Sequence, residues 1–250
     1  MALMNHGEFV AQSPLDQSIG FDRLCIQPLF PVALGHVQLH PDPLDLALQL
    51  QALLTLRGDS CSNPEPGCAW TGDLNGVWQL HRHPTFSSLV RVLSTHAHRY
   101  LAELGFDRSR CTLHLQRCWP VVSEPDQVVG RHHHPNAHLS AVYYFNGDGS
   151  GRQGCLRLFP SRQSNELVPG MGLGHGAPMA RSSWTVPWMD LAPQAGLLLL
   201  FPASLDHAVL PNEAEDDLRF SMSMDFVISS VPGSSPPEYL APHPRDWQEV

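Results

Sequence analysis

The residues best suited to chemistry lie in "GRHHHPNAHLSAVYYFN", Gly130 to Asn146, where three consecutive histidines precede a fourth at His138. On an extended strand alternate residues share a face, so His132 and His134 can grip one ion while His133 points away. Two ligands do not hold a transition metal alone. The histidine best placed to complete the set is His207 in "FPASLDHAVLPN", directly after the most apolar run of the chain. Two close ligands on one strand and a distant histidine on a later one is how a facial three-ligand site for non-haem Fe(II) is built, with open positions opposite. Asp206 is a rival carboxylate, but a residue adjacent to a ligand on a strand points the other way, so His134 ranks above it. Beyond His207, "RFS" places Arg219 and Ser221 on one face of a strand. A guanidinium fork beside a hydroxyl is a clamp for a carboxylate. His138 is expected to face the pocket mouth or solvent, and Tyr143 and Tyr144 must point to opposite faces.

Composition removes several other chemistries. All fifteen basic residues are Arg and there is no Lys, which excludes Schiff-base catalysis and a Walker A phosphate loop. A net charge of −9 argues against nucleic acid or an anionic membrane as partner. The six cysteines follow no Cys-x2-Cys spacing, and "MALMNHGEFV" has neither a basic nor an apolar run. These features lead us to expect a cytoplasmic protein with free thiols. Cys61 and Cys68 fit a flexible loop better than a zinc site. The run "AGLLLLFPA" falls far short of the ~20 residues of a membrane span and reads as a core strand.

The elements that must position these residues follow from periodicity and punctuation. The first forty residues are Pro-punctuated and read as irregular. Two amphipathic helices are expected, one in "PDPLDLALQLQALLTLRG" with Asp42 as cap and Gly58 as stop, the other from about Thr85 to Leu104, ended by Gly105. From Cys111 onward the chain changes to seven short strands, in "CTLHLQRCW", "HLSAVYYFN", "CLRLFP", "SSWTVPW", "AGLLLLFP", "DHAVLP" and "LRFSMSMDFVI". Seven strands without long helices between them argue for an antiparallel β-sandwich or barrel. A Gly-rich loop, Ser161 to Ser182, interrupts them and is long enough to be a lid or binding loop. We expect a single domain over 1–250: helical and irregular support at 1–109, a β core at 110–229 and a Pro-rich tail at 230–250.

In order and spacing, "CWP" at Cys118, "RHHHPN" at Arg131, "LSAVYYFN" at Leu139, "GCLRLFP" at Gly154, "LLLLFPASLDHAVLPN" at Leu197 and "RFSMSMDF" at Arg219 resemble the core of the Fe(II)/2-oxoglutarate-dependent dioxygenases. The likeness is greatest to the prolyl-hydroxylase-like group and to a bacterial and phage family of 2-oxoglutarate/Fe(II) oxygenases with a His-x-His-Pro motif. It covers roughly half of the chain. The resemblance implies a mainly β fold, a double-stranded β-helix (jelly roll, cupin-like) with flanking N-terminal α-helices. It also implies Fe(II) on His132 and His207, with His134 where most of the superfamily has Asp or Glu. By the same likeness, Arg219 takes the distal carboxylate of 2-oxoglutarate with Ser221 and Tyr144 as hydrogen-bond partners, and Trp119 occupies a pocket position. The implied reaction consumes O2, converts 2-oxoglutarate to succinate and CO2, and hydroxylates an unactivated C–H bond. A small molecule, an amino acid or a peptide would be the substrate. Two alternatives share these residues: a three-His dioxygenase of the thiol-dioxygenase kind that ignores 2-oxoglutarate, and a non-catalytic module holding zinc. Arg157, Arg181 and Trp184 are candidate substrate contacts by residue type alone.

Overall fold

A computed structural model describes residues 28–58, 67–162, 165, 167–168, 170–171, 182–214 and 217–250. The chain start, Cys25, Cys61, Arg181 and most of the loop between Ser161 and Ser182 lie outside the described residues. Two compact units are present, Met1–Val32 and Ala33–Val250. Residues 28–32, the described part of the first, are irregular.

Among its described residues the second unit carries two α-helices and ten strands. Strand β1 (Gly35–Gln38) precedes helix α1 (Pro43–Arg57), and β2 (Trp70–Thr71) precedes α2 (Ser87–Glu103). Then follow β3 (Cys111–Ser123), β4 (Val129–His132), β5 (Leu139–Tyr144), β6 (Leu156–Leu158), β7 (Met189–Leu191), β8 (Leu197–Pro202), β9 (His207–Val209) and β10 (Arg219–Ser230). They form a six-stranded sheet, β1-β8-β5-β10-β3-β2, and a four-stranded sheet, β4-β9-β6-β7, with every strand pairing antiparallel. From β3 to β10 the chain crosses repeatedly between the sheets, which is the jelly-roll or double-stranded β-helix arrangement.

Side-chain parity divides the large sheet. Leu198, Leu200, Tyr143, Met222, Met224 and Phe226 face outward and form one core with Leu53, Phe86, Val90, Leu93, Ala97 and Leu101 of the helical region. Tyr144, Leu199 and Phe201 face inward and pack with Leu156 and Leu158 of the small sheet. The expected opposition of Tyr143 and Tyr144 is therefore observed, one on each face. Burial of the outer face by α2 holds the sheet rigid, while the inner face is free to carry polar groups.

The helices start and stop where their signals lie. Asp42 accepts from the Leu44 and Asp45 amides at 2.8 and 3.3 Å, and Gly58 ends α1 with φ 56°. Helix α1 is less amphipathic than expected. It buries Gln49, Leu53 and Arg57, while Leu44, Leu48 and Leu54 remain exposed. Its leucines are spread around the axis, and the buried stripe follows the i, i+4 row instead. Strands β1 and β2 were not anticipated, and β4 was expected only as the extended stretch that carries His132. Each has two to four residues, too few for alternation to register. The expected strand in "SSWTVPW" is a turn, with the Thr185 amide bonded to the Ser182 carbonyl at 3.1 Å. Pro187 has no N–H for a ladder, so pairing begins only at Met189. Among the described residues no helix is long and apolar enough to cross a membrane.

Candidate metal centre

Strands β4 and β9 pair so that His132 stands directly opposite His207. Their rings lie 4.3 Å apart between centroids, and His134, just past the end of β4, completes the group at 5.2 and 5.0 Å from them. One nitrogen from each of the three lies within 4.8 Å of the others. The alternation continues beyond the strand: His133 turns outward to Asp206, while His134 is buried.

Backbone and side-chain acceptors orient all three rings. The His132 Nδ1–H donates to the Gly130 carbonyl at 2.7 Å, and that of His207 to the Leu205 carbonyl at 2.9 Å. A carbonyl only accepts, so each Nδ1 must carry the proton and each Nε2 the lone pair that a metal needs. The His134 Nδ1–H donates to Asp225 Oδ1 at 2.5 Å. Burial is the main reason the pKa of His207 falls to about 4, with the neighbouring His132 and His134 adding to it. Burial also lowers that of His132. His132 and His207 are thereby neutral near neutral pH, the form that ligates a metal, and a three-imidazole set with open positions suits a first-row divalent metal such as Fe(II).

Behind His134 lies a polar cluster that the sequence did not disclose. Cross-strand register aligns Asp225 of β10 with Ser140 of β5 on one side and Arg117 of β3 on the other. Ser140 Oγ donates to Asp225 Oδ1 at 3.1 Å and Arg117 Nη2 to Oδ2 at 2.6 Å. Burial pushes the Asp225 carboxyl up, but the His134 and Arg117 interactions outweigh it and hold its pKa below the usual value. The available signal was parity: Asp225 shares a face with Arg219 and Ser221 and is a charge within an apolar strand, which is rare without a partner.

A cavity of about 460 Å³ between the sheets is lined by the three histidines, Trp119, Tyr144, Arg219 and Ser221. Trp119 sits beside His134, with ring centroids 5.6 Å apart. Arg219 is 1% exposed, and its one hydrogen bond to a described residue runs from Nη1 to the Gly154 carbonyl at 3.3 Å. Its Nε has no partner, and no ion pair reaches it among the described residues. A buried charge left unpaired costs several kcal/mol, so the site is shaped for an anion. Burial pushes the Tyr144 hydroxyl up to about 12, keeping it a donor. These features fit a metal at the histidine end and a carboxylate at the Arg219 end.

All seven expected site residues, His132, His134, His207, Arg219, Ser221, Tyr144 and Trp119, line this one cavity. Asp206 does not approach the histidine group; it accepts from Arg131 Nε and Nη2 at 3.0 and 2.7 Å on the outer side. His138 is exposed, as expected, and its Nδ1 accepts from the Ile228 amide at 2.9 Å. Arg157 is held by Asp190, at 2.7 Å from both Nε and Nη2, and stacks on Trp188.

Residues 117–225 match the sequence model of the family described as "Putative 2OG-Fe(II) oxygenase". Three solved structures are similar in fold. The non-heme alpha ketoglutarate dependent carbocyclase SnoK from nogalamycin biosynthesis shares 15% identity at a TM-score of 0.56, over 82% of this chain and 87% of that one. The epimerase SnoN from the same biosynthesis shares 18% at 0.50, over 85% and 91%. AviO1 from Streptomyces viridochromogenes Tue57 shares 16% at 0.51, over 82% and 92%. No curated protein matches the chain.

Proposed function

We propose that this chain, which matches an Fe(II)/2-oxoglutarate-dependent oxygenase family over residues 117–225, is such an oxygenase and hydroxylates an unactivated C–H bond of an amino acid, a peptide or another small molecule. In this reading His132, His134 and His207 hold the Fe(II). Bound iron, with 2-oxoglutarate and O2, supplies the oxidising chemistry, and the cosubstrate leaves as succinate and CO2.

The chain's own groups do the rest. Arg219 receives the distal carboxylate of 2-oxoglutarate, with the Tyr144 and Ser221 hydroxyls donating beside it. Three imidazole ligands place no anionic atom on the metal itself, which favours a dianionic cosubstrate. Trp119, Val142, Leu156, Phe201 and Val209 give the cavity an apolar wall that excludes water and sets the orientation of the reacting carbon. The cytoplasm is the setting we infer, from an acidic chain whose Cys111, Cys118 and Cys155 are free thiols, with neither nucleic acid nor membrane as partner.

The observation that carries the reading is the buried Arg219, without an ion pair among the described residues, in the same cavity as the histidine triad. A thiol dioxygenase would share the triad, and a thiol substrate bearing its own carboxylate would also engage Arg219, so the requirement for 2-oxoglutarate is the property that separates the two readings. The carbocyclase and epimerase among the structural neighbours are the reason to weigh the reaction outcome separately. A succinate-release screen over amino acids and peptides tests the proposal, with products weighed by mass spectrometry. Substrate-stimulated succinate with a gain of one oxygen is expected. Succinate with no gain of oxygen would overturn hydroxylation, and O2 uptake that requires a thiol but not 2-oxoglutarate would overturn the class of reaction.

A further inference from the structure

We propose that Asp225 is a positioning residue that supplies, through His134, the negative charge a direct carboxylate ligand would give the metal. The inference rests on the reading that the three histidines hold that metal. Its ground is an asymmetry in the triad. His132 and His207 turn Nδ1 to the neutral carbonyls of Gly130 and Leu205, whereas His134 alone turns it to a carboxylate, 2.5 Å away. A carbonyl fixes the tautomer. A carboxylate also draws the Nδ1 proton and raises the basicity of Nε2, so part of its charge reaches the metal.

The surroundings keep that charge in place. Asp225 is fully buried, and strand register fixes its neighbours on both sides. Arg117 engages Oδ2 only, is one-third exposed, and also lies 3.7 Å from Asp73 Oδ2. Oδ1 is left to His134 and the Ser140 hydroxyl. Imidazole and carboxylate have thereby exchanged order: the histidine ligates and the aspartate stands behind it. The all-imidazole donor set then carries a hidden anion.

Asp225→Asn keeps the shape of the side chain and removes the charge. Calorimetric titration of the metal-free wild type and variant with Ni(II) is expected to show roughly ten- to hundred-fold weaker binding in the variant. The Fe(III)/Fe(II) midpoint potential of the iron-loaded variant should rise, because the ferric state loses its nearest anion. Combining His134→Asp with Asp225→Asn should bind Ni(II) better than His134→Asp alone, in which two carboxylates would face each other. Unchanged affinity and potential in Asp225→Asn, with no gain in the double variant, would overturn the role. Should the variant not fold, the zinc-loaded wild type decides by imidazole NMR: the Nδ1 proton of His134 should resonate further downfield than those of His132 and His207, and three alike would overturn the proposal. A wild type that takes up no divalent metal overturns the ligand reading itself, a result distinct from the others.

Discussion

Each imidazole of the triad is committed twice, once through Nδ1 to an acceptor and once through Nε2 to the space the three rings share. That double commitment separates them from the other histidines nearby. His133 turns outward to Asp206 and the exposed His138 accepts the Ile228 amide, so both rings point away from the point that the other three share. The same logic removes Asp206 as a ligand, since its carboxylate is spent on Arg131 and His133 near the surface. Exposed pairs of this kind contribute little. Asp206→Ala should therefore leave Ni(II) affinity, measured by competition with a chelator, within about three-fold of wild type. His207→Ala should lose far more. Equal losses in the two variants would make Asp206 a ligand after all.

Strand β10 is the element on which the site depends, because one face carries Arg219, Ser221, Ser223 and Asp225 and the other carries Phe220, Met222, Met224 and Phe226 into the core. A one-residue slip would exchange the two sets. At the Arg219 end the fit is close. Gly154 has φ 82°, and a Cβ there would collide with the Leu210 carbonyl and come within 3.0 Å of Arg219 Nη1. Gly154→Ala should cost more than about 1 kcal/mol of stability and weaken 2-oxoglutarate binding by displacing the guanidinium. Thermal unfolding together with cosubstrate titration checks both, and a variant indistinguishable from wild type in both would contradict the assignment. Strands β8 and β10 and both helices were legible in the sequence because they are long or bounded by Pro, Gly and Asp. The approach of His132 and His134 to one point was foreseen, since alternate residues on a strand share a face, and His207 was expected only as a ligand from some other strand. The cluster of Asp225, Ser140 and Arg117 was not foreseen, because cross-strand register joins residues up to 108 positions apart and no local pattern records it.

At the scale of the whole molecule, two sheets held rigid by a helical layer enclose titratable groups that are comfortable only near neutral pH. The folded protein holds His207 at about 4 against 6.5 when unfolded, so between these values the unfolded chain binds more protons. Stability from this group is complete above the unfolded value and is lost as pH falls toward the folded one. Asp225, whose pKa is also lowered on folding, acts in the same direction at lower pH. Metal-free protein should lose on the order of 3 kcal/mol, or roughly 10 °C in Tm, between pH 7 and pH 4.5. A divalent metal should move that loss to lower pH, because it binds only the deprotonated, folded site. A Tm that is flat or rising on acidification would contradict this.

The triad and Arg219 line one cavity, and anaerobic titration of Fe(II)-loaded protein with 2-oxoglutarate, followed by visible absorption, reads both ends of it at once. Wild type should develop a charge-transfer band that saturates at one cosubstrate per chain. Arg219→Leu should bind Fe(II) as before but need far more 2-oxoglutarate to reach the same band. A folded, iron-loaded wild type without a band, or an Arg219→Leu variant with unaltered cosubstrate affinity, would contradict the account.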